Sequence, residues 1–233
     1  MSQKRYNAAQ ALAGTSNAHI LDCGCGTGAN LALFTPFGAA YGFDLSALGL
    51  QTGHRLGRRG LVRATAASIP FASRRFDLVT SFDVLYGLDQ RDEHAAVAEM
   101  FRVARPGGYV LVNVAAMDVL RGDHSILSRE LRRYTRRSLE TLLTSAGFRV
   151  VRMTYTNAVL FLPMLAVRAF HRARGLSAEA DATAEIAIPP APVNAALGAL
   201  LFLESLWLRT GAASPFGSSL ICLARKPEDG SPH

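Results

Sequence analysis

Only three cysteines occur in 233 residues. Two of them, Cys23 and Cys25, stand inside one glycine-rich turn, where a disulfide would strain the backbone. A disulfide-stapled secreted scaffold is therefore excluded and a reducing, cytoplasmic setting expected. A single Cys-x-Cys pair is at best half of a metal site, so no metal is expected. The chain opens without a lysine-flanked apolar segment ending in small residues, and no secretory signal is read there. Long apolar runs are missing too. The two richest, Ala158 to Val167 and Ala195 to Leu208, fall short of the roughly 18 residues that a spanning helix needs. Negative charge is the scarcer sign, with 18 Asp and Glu against 25 Lys and Arg. The excess lies in arginine pairs such as Arg58-Arg59, Arg74-Arg75, Arg132-Arg133 and Arg136-Arg137 rather than in a tail. Such pairs favour anionic partners without choosing among nucleic acid, lipid headgroups and phosphorylated small molecules.

What is present is apolar side chain, 49% of the total, enough for one sizeable α/β core in a single domain over residues 1–233. Strands and helices alternate. A short helix over residues 2–13 precedes an apolar strand at Ile20 and Leu21. "AAYGFDLS", "LVRATAA", "RFDLVTSFDVL" and "RPGGYVLVNVA" read as further strands, with helices in "ALGLQTGHRLGRRG" and "RDEHAAVAEMFRVA" between them. This rhythm predicts βαβ units and a parallel sheet covered on both faces. "TRRSLETLLTSAGF" then reads as a helix capped by Thr135 and stopped by Gly147, and "RVVRMTYT" and "SSLICLARK" as two last strands. Residues 156–215, between those strands, form a helical insertion around the hinge "IPPAPV".

The chemistry starts in "HILDCGCGTGANLALF", residues 19–34. A strand that ends at Asp22 and turns through Gly24, Gly26 and Gly28 into a helix places bare backbone at the carboxyl end of the sheet, where open α/β sheets bind ligands. A dinucleotide fingerprint reads G-x-G-x-x-G with a pyrophosphate on the helix. This chain reads G-x-G-x-G behind an acid, which repels a pyrophosphate and suits a ligand with ammonium and sulfonium charges. Asp44, ending the second strand, stands where a carboxylate accepts both ribose hydroxyls.

The segments "ILDCGCGTG", "GFDLS", "SIPFASRRFDLVTSFDVLYGL" and "EMFRVARPGGYVLV" resemble the successive motifs of class I S-adenosylmethionine-dependent methyltransferases of the type 11 kind. The resemblance covers residues 18–115. It implies a Rossmann-like seven-stranded sheet of order 3-2-1-4-5-7-6 with strand 7 antiparallel, the helical insertion falling between strands 6 and 7. It also implies S-adenosylmethionine as cofactor. Carried over by position, Asp22, Gly24, Cys25, Gly26 and Gly28 would surround the methionine half, Asp44 the ribose and Leu45 the adenine. Thr65 and Ala66 follow strand three where relatives often carry Asp-Ala, leaving the backbone contact of Ala66 but not the acid. Ser81 and Phe82 would face the methionine end. His124, "RRYT", "AGF", Tyr155, Asn157, Asn194 and "PFGSSL" further resemble a narrower group associated with lipid-linked or secondary-metabolite substrates.

Methyl transfer is an in-line displacement at a sulfonium carbon, so the protein must align a nucleophile behind the methyl and exclude water. His124 is the general-base candidate, since its charge changes near neutral pH and its segment lies beyond strand five. Tyr86 and Tyr134 are candidates to hold a substrate oxygen, with core packing the alternative for each. Arg132 and Arg133 either grip an anionic group or are solvated. The inserted stretches "NAVLFLPMLAVRAF" and "NAALGALLFLESLWL" are apolar around most of their circumference. They are expected to pack on each other as a lid, with a second subunit, a greasy ligand or a membrane surface as alternatives. The sequence thus predicts a methyltransferase of a small, apolar acceptor. The competing readings are an RNA or protein methyltransferase, favoured only by basic charge, and a catalytically silent cofactor-binding scaffold.

Overall fold

The computed structural model describes residues 3–117, 130–159, 161 and 191–229. Seven strands run β1 (Ala18–Cys23), β2 (Gly38–Asp44), β3 (Leu61–Arg63), β4 (Phe76–Phe82), β5 (Ala104–Ala115), β6 (Arg149–Thr156) and β7 (Ser219–Arg225). They form one sheet in the order β3-β2-β1-β4-β5-β7-β6. The pairs from β3 to β5 are parallel, whereas β7 is antiparallel to both β5 and β6. The expected sheet order and its one antiparallel strand are both present. All seven residues of β4 are buried, as the central strand of a sheet covered on both faces must be. Sequential strands run outward from β1 on one side and from β4 on the other, so their loops part at the β1/β4 junction and open a cleft at the carboxyl ends.

Six helices are described: α1 (Gln3–Ala11), α2 (Leu31–Phe34), α3 (Ala47–Arg55), α4 (Gln90–Val103), α5 (Arg136–Ser145) and α6 (Ala191–Arg209). α1 and α2 bury Ala8, Ala11 and Phe34 against Ile20, Leu78 and Leu111 on one face of the sheet. On the other face α4 and α5 bury Ala96, Val97, Met100, Leu139, Leu142 and Leu143 against Val79, Val110 and Val112. The buried residues of α4 recur at Glu93, Ala96, Val97, Met100 and Val103, the spacing of one helix face. Its N-cap Asp89 accepts from the Asp92 N–H, and Asp92 and Glu93 place negative charge on the positive end of the helix.

Two local expectations are corrected. The helix after the glycine turn is a single turn, Leu31–Phe34, followed by a 3-10 turn at Thr35–Phe37. Pro36 has no N–H to give to a longer helix and its ring crowds the carbonyl four residues back. β3 ends at Arg63 rather than running on through "TAA", because Thr65 closes a turn. Its carbonyl accepts from the Ser68 N–H at 3.2 Å and its hydroxyl from the Ala67 N–H at 3.3 Å.

Between β6 and β7, α6 is anchored by polar contacts rather than by a broad apolar face. Glu204, only 8% exposed, accepts from the N–H groups of Ala158 at 3.0 Å and Val159 at 3.2 Å. Arg152 of β6 donates to the carbonyls of Leu208 and Ala212, and Tyr6 of α1 donates to the Arg209 carbonyl at 2.9 Å. Leu208 faces inward, while Leu200, Phe202, Leu203, Leu206 and Trp207 stand exposed. No helix among the described residues is long and apolar enough to cross a membrane. Most of the first apolar stretch of the insertion, and the basic residues Arg168, Arg172 and Arg174, lie outside the described residues.

α5 begins with the expected cap in its reciprocal form. The Thr135 hydroxyl accepts from the Ser138 N–H at 3.1 Å, and the Ser138 hydroxyl accepts from the Thr135 N–H at 3.0 Å. Replacing Thr135 by alanine is expected to cost about 1 kcal/mol and to lower the melting temperature by roughly 2–4 °C, read by differential scanning calorimetry.

Candidate cofactor site and active site

The turn from β1 to α2 is tied to the end of β2. The N–H groups of Gly24 and Cys25 both donate to the Phe43 carbonyl at 2.9 Å, and the Gly28 N–H donates to the Cys25 carbonyl at 2.7 Å. Asp44 completes the tie, accepting from the Gly26 N–H at 2.7 Å on one oxygen and from the Ser46 N–H at 2.8 Å on the other. The amides of Gly24, Cys25, Gly26 and Gly28 are therefore already taken up and not offered to a pyrophosphate, which weighs against the dinucleotide alternative. Gly24 sits at φ +70°, and a Cβ there would lie 2.3 Å from Val84 Cγ2. Gly26 sits at φ +56° with nothing within 4 Å of an added Cβ, so its bare face looks onto open space. From outside, Arg58 grips the Thr27 carbonyl at 2.7 Å and hydroxyl at 2.9 Å.

Beside this turn lies a cavity of about 240 Å³. The structure brings the sequence-predicted Gly24, Asp44, Leu45, Thr65 and Ala66 together on its walls, and adds Asp83, Val84 and Leu88 from the β4 side. The residues suit a nucleoside. Each Asp44 oxygen keeps a lone pair beyond its backbone bond, available to a ribose hydroxyl. Leu45 is 66% exposed, an apolar platform at the rim, and the Ala66 N–H carries no hydrogen bond among the described residues, leaving a donor for a ring nitrogen. The Thr65 hydroxyl is engaged in its own turn.

The methionine-side residues sit deeper. Asp22 is 1% exposed, accepting from the Thr80 hydroxyl at 2.7 Å and, more weakly, from the Asn30 amide at 3.5 Å. Burial pushes its carboxyl up to about 6, against the two hydrogen bonds and Lys4, which pull it down. Ser81 is fully buried and its Oγ has no hydrogen-bond partner among the described residues. Phe82 stacks on Phe34 and carries the Lys4 ammonium 4.2 Å from its ring centre. Burial also pushes the Cys25 thiol up to about 12, so at neutral pH this residue is a small hydrophobe in the turn. No cluster of metal-ligating residues occurs among the described residues.

The catalytic candidates separate. His124 lies outside the described residues. Tyr134 is 3% exposed and donates its hydroxyl to Glu93 of α4, which also receives Arg132 at 2.5 Å. Its proton is committed to that buried network. Arg132 further donates to the Leu88 carbonyl, and Arg133 pairs with Glu130 at 2.8 Å and donates to the Ala116 carbonyl. The arginine pair thus fastens the 130–134 segment to the fold rather than standing solvated. Tyr86 is half-buried in a 3-10 turn, Leu85–Gly87, and its hydroxyl is raised to about 12 by burial and by Asp83 and Glu130. Asp83, directly after β4, is the site residue that sequence reasoning passed over. Its signal was present in "SFDV", an acid immediately beyond the central strand.

With this geometry in hand, likeness to known proteins is informative. Residues 21–112 match the family model described as a methyltransferase domain. The chain is 31% identical over 136 residues to the ubiquinone/menaquinone biosynthesis C-methyltransferase UbiE of Pseudoalteromonas translucida (strain TAC 125), covering 53% of this chain and 51% of that protein. It is 34% identical over 115 residues to a tRNA (carboxymethyluridine(34)-5-O)-methyltransferase of Arabidopsis thaliana, covering 49% of this chain and 28% of that protein. The chain thus spans about half of the length of the first relative and about a quarter of the second. Among solved structures, a chain in the complex between the Haloferax volcanii Trm112 methyltransferase activator and a methyltransferase superposes with a TM-score of 0.62 at 16% identity. That alignment covers 96% of this chain and 90% of the other. Residues 21–112 thus match a methyltransferase domain, the solved structure shares the fold, and such a domain implies S-adenosylmethionine as methyl donor.

The raised Asp22 carboxyl gives a prediction with two signs. An acid whose folded pKa exceeds its unfolded value contributes stability in full below about pH 4, and that contribution is lost as pH rises through about 6. Asp22→Asn is therefore expected to raise the melting temperature of the free protein at pH 7.5. A ligand ammonium group close to Asp22 favours the ionised acid, so S-adenosylhomocysteine affinity should rise with pH through about 6 in the wild type. It should be weaker and flat in Asp22→Asn. Calorimetric titrations from pH 5 to 8 read the affinities; an Asp22→Asn protein that binds as tightly as the wild type at pH 8 refutes the role.

Proposed function

We propose that this chain is an S-adenosylmethionine-dependent methyltransferase acting on a small, apolar acceptor of lipid-linked or secondary-metabolite type, at the cytoplasmic surface of a membrane. The observation that carries the acceptor class is α6. Its exposed Leu200, Phe202, Leu203, Leu206 and Trp207 border the carboxyl-end side of the sheet, where Glu204 and Arg152 hold the helix against the end of β6. A cavity of about 340 Å³ opens beneath it, between Gln3, Asn157, Leu201 and Leu208. An apolar helix held by polar clamps at the carboxyl end of β6 supports an acceptor that brings its own apolar surface. The similarity to a ubiquinone/menaquinone biosynthesis C-methyltransferase is in keeping with that class.

In this reading the chain's own residues do three things. The Gly24–Gly28 turn, Asp44 and Ala66 hold the nucleoside half of the donor; Asp22 sets the charge beneath the methionine half; and the β4 end with Tyr86 faces the acceptor. The bound cofactor supplies an activated methyl group. Orientation and exclusion of water do the remainder.

A second reading, an RNA methyltransferase, is favoured by the net charge of +7 and by the tRNA-modifying relative. Against it, Arg58, Arg102, Arg132, Arg133 and Arg152 are bonded to backbone carbonyls or carboxylates inside the fold. Transfer from methyl-tritiated S-adenosylmethionine into a cell extract, fractionated into organic-soluble, aqueous, RNA and protein pools, separates the two. Label in the organic phase is expected; label confined to RNA or protein overturns the acceptor class, and a silent protein that still binds S-adenosylhomocysteine favours a scaffold role.

A further inference from the structure

Asp83 combines features that the cofactor site leaves unused. It follows β4 directly and lines the cleft that holds Gly24 and Asp44. Its φ is +62°, a left-handed conformation that costs a residue with a Cβ free energy and persists only when its surroundings impose it. Asn113, at the same level of the neighbouring β5, imposes it from both ends. The Asp83 N–H donates to the Asn113 carbonyl at 2.9 Å, and the Asn113 Nδ2 donates to Asp83 Oδ1 at 3.0 Å. This leaves Oδ2 without a hydrogen bond from any described residue, on a side chain that is reachable from the cleft.

We propose that Asp83 is the general base that accepts the proton of the acceptor nucleophile as the methyl group is transferred, with Asn113 as its positioning residue. The proposal rests on the transferase reading above. In the step, the acceptor's X–H bond breaks while X bonds to the methyl carbon. The carbon–sulfur bond breaks with its electron pair returning to sulfur, and the proton passes to Asp83 Oδ2 and then to solvent. The arrangement is a base oriented by a third group, with one oxygen fixed and the other free. Asp44 is unsuited to the task because both its oxygens already bind amides on the nucleoside side, and Asp22 because it is buried under Thr80 and Asn30. Enclosure by the cleft walls raises the Asp83 carboxyl above the usual carboxylate range, towards the basicity that proton abstraction needs. The groups that face it are Lys4 of α1 and Asn113 of β5, which lower its pKa, and Glu130 beyond β5, which raises it; Tyr86 stands in its field.

The test compares wild type with Asp83→Asn, Asn113→Ala and Lys4→Ala. Asparagine tolerates a left-handed backbone at least as well as aspartate, so Asp83→Asn is expected to fold. Two readouts are taken: the rate of tritium transfer into the organic-soluble acceptor from pH 5 to 9, and the S-adenosylhomocysteine dissociation constant by calorimetry. Asp83→Asn is expected to lower turnover by roughly 10²-fold or more and to abolish the acid limb of the rate profile, with cofactor affinity changed less than about threefold. Asn113→Ala should lower turnover by less and leave cofactor affinity intact. Lys4→Ala should move the acid limb to higher pH, because the ammonium that favours the ionised carboxylate is gone. Wild-type turnover in Asp83→Asn overturns the assignment alone. Loss of cofactor affinity in parallel with turnover overturns it in favour of an anchor for the donor's ammonium group. A wild type that labels no fraction overturns the transferase reading and this assignment with it.

Discussion

The carboxylate of Asp44 and the carbonyl of Phe43 next to it hold the site together. Between them they receive four backbone N–H groups, from Gly24, Cys25, Gly26 and Ser46. These bonds fix the turn after β1 against the end of β2 and start α3 in one stroke. Everything on the cleft wall is placed relative to that junction. Gly24 comes close enough to touch Val84 across the β1/β4 divide, and Leu45 and Ala66 line up on the nucleoside side. Without the tie, the turn would present free amides to solvent and the natural ligand would be an anion. With it, the turn offers shape and one acid, which suits a neutral nucleoside attached to a cationic tail.

The arginines follow the same logic of internal use. The basic composition invites a search for an anionic partner, yet much of it is absorbed by carbonyls at loop ends. Arg102 holds Ile69 and Phe71 by their carbonyls while pairing with Glu99, and Arg132 and Arg133 fasten the segment beyond β5. Guanidinium groups suit this work because their donors fork in a plane and stay charged. Such arginines keep their charge, so the net field stands, but their donors are not free to grip a partner's anionic groups.

The two sides of the cleft are built by different means. The nucleoside side is made of backbone and small residues, held by short hydrogen bonds and close glycine contacts. The β4 side is made of side chains, a left-handed aspartate at Asp83 with Val84 and Leu88. A shared donor needs the first kind of wall, whatever is methylated. An individual acceptor is recognised by the second, where side chains and inserted segments differ in shape and polarity.

The sheet order was implied by the resemblance to class I methyltransferases, whereas the amino-acid sequence by itself determined the alternation of strands and helices, the cap of α5 at Thr135, the stop at Gly147 and the glycine turn after β1. These are legible because they rest on short-range rules: alternation of apolar runs, a cap three residues from its partner, and glycines spaced for a turn at a strand end. The tertiary structure alone decided that Tyr134 belongs to a buried network with Glu93 and Arg132, that the arginine pair is structural, and that Asp83 faces the cleft. Glu93 and Tyr134 are 41 residues apart, and Asp83 and Asn113 are 30 apart. Asp83 and Asn113 meet because β4 and its parallel neighbour β5 are joined by a long crossover, and Glu93 and Tyr134 because α4 of that crossover meets the segment beyond β5; such distances in sequence carry no local pattern to read.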